Sequence, residues 1–303
     1  MRFFTTISFA LAASPALGSA VGNLGFALGT KNSDGSCKAQ QDYEDDFDAI
    51  AAASGSKLVR GYAASDCNCA QYILPAAKAK GAKVILGVWP DTDESFDLDK
   101  QALQNYATKF TDQVYAVTVG SETLYRGNFT AAELLDKMDE VRSILPNTKI
   151  GTADSWNKYA DGTADDMIKG KPDILLVNAF GYWQAQPIDN ATHTYFDDMM
   201  QAFTHIQSVA GSTSSIELWN GETGWPTDGG TDYGAAKAGT ANAKTYWQQA
   251  VCPMIDWGFN VFYFEAMDEP WKPDSVGDNG SAQDEKHWGA MTAARAVKFS
   301  LKC

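Results

Sequence analysis

From residue 24 onward the chain alternates two kinds of segment, and this alternation limits its fold more than any other feature. Short β-branched or apolar runs read as buried strands at about 24–29 (LGFALG), 57–62 (KLVRGY), 83–88 (KVILGV) and 114–120 (VYAVTVG). Four more follow at about 148–153 (TKIGTA), 173–180 (DILLVNAF), 215–220 (SIELWN) and 259–265 (FNVFYFE). Near-continuous apolar runs of this kind suit strands covered on both faces. Helical patterns lie between them, at 39–53, 70–80, 98–110, 131–144, 195–209 and 235–257, with a last one near 283–300. Thr130-Ala131-Ala132-Glu133 reads as a capping box opening one of these helices. The segment after the fifth strand is short.

Eight strands alternating with helices imply parallel βαβ units. The first and eighth strands are roughly 240 residues apart, about 34 per unit, which is the pitch of a (β/α)8 TIM barrel of about 250 residues. An open doubly wound sheet is the alternative, but no Gly-rich phosphate loop follows any strand. No Pro-, Gly- or Ser-rich linker divides the chain, so residues 21–303 are expected to form one α/β catalytic domain.

The first twenty residues, MRFFTTISFALAASPALGSA, carry Arg2, an apolar stretch too short to span a bilayer, and small residues ending at Ala20. They read as a secretory signal peptide, residues 1–20. The basic C-terminus, AARAVKFSLKC, lacks the apolar tail of a lipid-anchor signal. Export fits the acceptor triplets at Asn128, Asn190 and Asn279. Of five cysteines, at least one is unpaired within the chain. On a barrel, Cys37 and the Cys67/Cys69 pair sit near the starts of neighbouring helices. Cys252 and Cys303 sit near the ends of two others. The expected bridges are Cys252–Cys303, and Cys37 with either Cys67 or Cys69.

The net charge of −14 argues against nucleic acid or an anionic membrane as partner, since both reward basic patches. Only three histidines are present, and no His/Cys set has zinc spacing, so neither a metal nor an organic cofactor is expected. No G-x-S-x-G elbow surrounds Ser121.

Two glutamates remain. VTVGSETLYRG runs the fourth strand into Glu122, and SSIELWNGETGWP runs the seventh into Glu222. Barrel active sites lie at the C-terminal ends of the strands, so both carboxylates belong to one rim. Two facing carboxylates suit glycosidic cleavage: one protonates the leaving oxygen, the other attacks the anomeric carbon or activates water. Five of nine tryptophans, Trp89, Trp156, Trp183, Trp225 and Trp271, fall just after predicted strands, where they can stack on sugar rings or fill the barrel top. Trp247, Trp257 and Trp288 read as helix residues packed on the barrel. Arg60, Tyr62, Asp154, Asn178, Tyr182, Glu265, Asp268, Glu269 and Lys272 are further polar rim candidates.

The motifs VTVGSE-TLYRG and WNGETGWPT resemble the two signature regions of glycoside hydrolase family 17. The likeness extends through LGFALGTKNSDGSCK, VRGYAASDCN, VILGVWPD, LLVNAFGYWQ and FYFEAMDEPWK, across nearly the whole chain after the leader. The wording is nearest the secreted fungal cell-wall branch. The resemblance implies a retaining enzyme acting on β-1,3-glucan and laminari-oligosaccharides, as a glucanosyltransferase or an endo-glucanase. It implies Glu122 as acid/base and Glu222 as nucleophile. It also implies Arg60, Tyr62, Glu269 and Lys272 as sugar-site residues. Ser121 stands where many relatives of the wider clan have Asn, which leaves its contact to the sugar 2-hydroxyl open. Phe180 stands where plant relatives often have Tyr, which leaves Tyr182 as the expected hydroxyl near the nucleophile. A monomer without membrane attachment is expected. The alternative is a wall protein that binds glucan without turning it over.

Overall fold

The computed structural model describes residues 21–228, 232–276, 280 and 282–303. The expected signal peptide and the Asn279 acceptor lie outside them. Eight parallel strands close into a barrel in sequence order. They are β1 (Leu24–Ala27), β2 (Leu58–Arg60), β3 (Lys83–Val88), β4 (Val114–Ser121), β5 (Lys149–Ser155), β6 (Ile174–Asn178), β7 (Glu217–Thr223) and β8 (Asn260–Tyr263). β8 pairs back onto β1 through Leu24 and Val261. The connections carry α1 (Gln40–Ser54), α2 (Cys69–Lys80), α3 (Asp93–Asn105), α4 (Ala131–Ile144), α5 (Trp156–Ala160), α6 (Asp165–Lys169), α7 (Ile188–Ala210), α8 (Thr240–Tyr246) and α9 (Cys252–Asp256). The (β/α)8 expectation is borne out.

The strand sequences explain the two-layer core. In β6, Ile174 and Leu176 join Leu58, Ile85, Trp219 and Phe262 inside the barrel, while Leu175 and Val177 face the helices. Alternate residues thus enter different apolar layers, which is why the strand reads as an unbroken apolar run. Each such side chain stabilises the fold by about 1.5–3 kcal/mol when fully buried. Trp219 and Phe262 stack with ring centroids 5.0 Å apart. Gly25 leaves space for that stack, since a Cβ there would lie 2.3 Å from the Phe262 ring. At α4 the capping box is present: Thr130 Oγ1 accepts from the Glu133 amide, and Glu133 accepts from the Thr130 amide.

Two expectations need correction. No helix spans 283–300: after a two-residue strand at Ala282–Gln283 the described chain is irregular. Its backbone is used elsewhere, with Ala290 N–H donating to Glu265 O at 2.8 Å and Met291 N–H to Ala266 O at 2.9 Å. The final segment therefore latches onto the chain after β8. Trp288, expected on that helix, is instead buried at the rim. The helix expected at 235–257 begins only after Gly239 and passes through a π-helical turn, Trp247–Val251, between α8 and α9. The turn lies just ahead of Pro253, which has no N–H to give an i−4 carbonyl. Trp247 is buried as expected, but Trp257 is 62% exposed and lies against Phe196 with ring centroids 5.0 Å apart.

The disulfides are Cys37–Cys67 and Cys252–Cys303, within the expected pairings, and Cys69 is a buried free thiol. Among the described residues no helix is long and apolar enough to cross a membrane.

Candidate active site

β4 delivers Glu122 through a tight turn. Gly120 has φ 82° and Glu122 itself has φ 57°. A side chain in that left-handed region costs about 1–2 kcal/mol. Local hydrogen bonds offset the strain. Glu122 N–H donates to Ala153 O at 2.9 Å, and the Asp154 carboxylate accepts from the Leu124 and Tyr125 amides at 2.8 and 3.1 Å. Burial pushes the Asp154 carboxyl up to about 7, against those amide donors. The Arg126 guanidinium closes the turn by donating to Ser121 O.

β7 delivers Glu222 opposite. Its Oε1 accepts from Arg60 Nη1 at 2.9 Å and from the Tyr62 hydroxyl at 2.8 Å. Arg60, fully buried on β2, also reaches Gly221 O at 2.8 Å and Ser121 Oγ at 3.1 Å. Asn178, at the end of β6, donates through Nδ2 to Glu122 Oε1 at 3.0 Å. Residue 221 must be glycine here, because a Cβ would lie 2.6 Å from Asn178 Oδ1 and 3.2 Å from Arg60 Nη1. Burial pushes the Glu222 carboxyl up to about 7; Arg60 pulls it down, the Glu122 charge raises it, and Tyr62 pulls it down.

A second charged group flanks this one. Lys272 Nζ lies 2.9 Å from Glu265 and 2.8 Å from Glu269. Burial, with the neighbouring Glu269 charge, drives the Glu265 carboxyl well above its ordinary range. Burial opposes the Lys272 charge, yet Glu265 and Glu269 hold its pKa above normal. Gly29 makes room for Glu269, whose Oε1 would sit 1.6 Å from a Cβ there. Beside them a cavity of about 250 Å³ is lined by Lys31, Asn32, Lys38, Glu265, Glu269 and Arg295, among others.

The structure therefore brings together Arg60, Tyr62, Ser121, Glu122, Asn178 and Glu222 from four strand ends, with Glu269 and Lys272 alongside. Trp89, Trp156, Trp183 and Trp271 remain partly accessible at strand ends. Trp225 does not: it is fully buried, its indole N–H bound to Lys237 O at 2.8 Å. Tyr182 also departs from expectation. It is buried among Trp183, Trp225, Tyr233 and Trp288, and the hydroxyl on Glu222 is that of Tyr62. Asn128 and Asn190 are exposed. Arg126 was not singled out from the sequence. It lies over Trp89 at 4.8 Å and pairs with Asp91 at 3.1 Å. Its one sequence signal is its place four residues after Glu122.

A family model described as the BtgE/BtgC glycoside hydrolase domain matches residues 25–289. A glucan 1,3-beta-glucosidase of Arthroderma benhamiae is 57% identical over 100% of this chain and 98% of its own. One from Saccharomyces cerevisiae is 43% identical over 100% of this chain and 99% of its own. Among solved structures, an active-site mutant of a Rhizomucor miehei beta-1,3-glucanosyltransferase in complex with laminaritriose is 27% identical. It covers 93% of this chain and 98% of its own, with a TM-score of 0.78.

Proposed function

The chain belongs to the BtgE/BtgC glycoside hydrolase domain family, and from that premise we propose how its two glutamates divide the work. The resemblance to glycoside hydrolase family 17 is borne out, and the protein is a glycoside hydrolase or transglycosylase acting on β-1,3-glucan. Glu222 is the nucleophile: it attacks C1 of the sugar while Glu122 protonates the departing glycosidic oxygen. A covalent glucosyl-enzyme results. Glu122 then takes a proton from the acceptor hydroxyl, which attacks C1 and frees Glu222. If the acceptor is another glucan, the outcome is transfer; if it is water, hydrolysis.

One observation carries this division. Glu222 receives both a guanidinium and a phenol, donors that favour the anion a nucleophile must be, whereas Glu122 receives a neutral amide and is less buried. Trp89, Trp156, Trp183 and Trp271, together with Glu269 and Lys272, supply the sugar-facing surface of the groove.

The site works on a secreted, wall-located monomer without a membrane partner. The leader-like residues 1–20, the acceptor triplets at Asn128 and Asn190 and the two disulfides support export. A time course on a defined laminari-oligosaccharide, with product lengths read by mass spectrometry, tests the activity. Products longer than the substrate identify a transferase, and only shorter ones a glucanase. Unchanged substrate would contradict both.

A further inference from the structure

Asn178 occupies an unusual position in the site. It is 2% exposed, and its amide lies between Glu122 and Arg60, the guanidinium that also binds Glu222. Its Oδ1 lies 3.4 Å from Arg60 Nη1, and its Nδ2 lies 3.0 Å from Glu122 Oε1. Arg60 has only donors to offer, so it fixes which end of the amide faces it. The oxygen must face Arg60, and the N–H2 must face Glu122. The same Nη1 donates to Glu222 Oε1 at 2.9 Å. A continuous path therefore runs from Glu222 through Arg60 and Asn178 to Glu122.

Ser121, the residue directly before Glu122, does not supply this contact. Its Oγ accepts from Arg60 Nη2 at 3.1 Å. The amide beside the acid/base instead comes from β6, across the barrel mouth. The strand frame leaves it one seat, since Gly221 would clash with Asn178 if it bore a Cβ.

We propose that Asn178 is the positioning residue of the acid/base: oriented by Arg60, it holds the Glu122 carboxyl in place through a single Nδ2–H donor. This rests on the assignment of Glu122 as acid/base. Without that donor the Glu122 carboxyl is free to turn away from the leaving oxygen, so proton delivery to it slows.

The test compares Asn178→Ala and Asn178→Asp with the unaltered protein on two substrates. One is a laminari-oligosaccharide, whose leaving oxygen needs a proton. The other is a dinitrophenyl β-laminari-glycoside, whose phenolate leaves unaided. The expected result is a roughly tenfold to hundredfold loss in kcat/KM on the oligosaccharide, a part of the hundredfold or more that general acid catalysis supplies. The loss on the aryl glycoside stays within about threefold. Asn178→Asp keeps the side-chain shape and places a like charge beside Glu122. It removes the donor as well and serves if the alanine variant does not fold. Equal losses on both substrates in a folded variant overturn the proposal. Inactivity of the unaltered protein on both substrates would instead strike at the proposed function itself.

Discussion

Two glutamates on the same strand, five residues apart, meet nearly the same partners and come out opposite. Glu217 opens β7 at the barrel floor, where it accepts from Lys149 Nζ at 2.5 Å, the Tyr115 hydroxyl at 2.5 Å and the Trp219 indole at 2.6 Å. Glu222 near its other end accepts from Arg60 and Tyr62. Each therefore has a cation and a phenol. Burial raises Glu217, but its donors outweigh burial and its pKa falls; Glu222 is pushed up to about 7. The floor pair is open to water, with Lys149 43% exposed. The mouth pair is dry and has a second carboxylate beside it. Partner chemistry alone does not set where a carboxyl titrates: desolvation and a like charge raise Glu222 although its donors favour the anion.

The contrast can be broken at its strong end first. Glu222→Gln removes the nucleophile while keeping shape, and turnover on laminari-oligosaccharide should fall at least a thousandfold, on the order of 4 kcal/mol. Initial rates under saturating substrate check this, and retained activity would remove the mechanism.

Arg60→Met tests what holds Glu222 down. Arg60 lowers the Glu222 pKa, so its loss raises it. The nucleophile must be ionised, so the acidic limb of kcat/KM should move to higher pH, with turnover at pH 6 reduced roughly tenfold or more. An acidic limb that stays in place would show that Arg60 only packs.

Stability should follow the same buried acids. Glu222 and Asp154 have folded pKa values near 7, above those of the unfolded chain. A raised acid pKa gives stability that is fully present below the unfolded value and lost as pH rises through the folded one. Thermal unfolding between pH 4.5 and 8 should therefore show a Tm higher at pH 5 than at pH 8 by several degrees. In Glu222→Gln this slope should be shallower.

The smallest effect belongs to the floor. Glu217→Gln should leave kcat unchanged and cost no more than about 1 kcal/mol in denaturant unfolding, because solvent screens a half-exposed ion pair. A large loss of activity would mean the floor communicates with the mouth.

Much of this was legible in the sequence because it depends on local pattern. The eight apolar runs fix the strands, and strand ends fix which residues reach the rim, so Arg60, Glu122, Asn178 and Glu222 could be placed together. Side-chain destinations beyond the strand ends were less legible. Tyr182 and Trp225 lie just past β6 and β7 as a sugar-facing residue would, yet the surrounding aromatics absorb both. The 283–300 segment has helix-favouring residues, but its amides are committed to the chain after β8, a long-range pairing that no local period encodes. Tyr62 was expected in the site. Its role on Glu222 became visible only when the barrel closed.

The central claim is that Glu222 carries the sugar. Incubating the protein with a 2-deoxy-2-fluoro-β-laminaribiosyl donor bearing a good leaving group, followed by proteolysis and peptide mass spectrometry, tests it directly. The account requires one sugar-modified peptide, labelled at Glu222. A label on Glu122, or none while the donor is consumed, would contradict it.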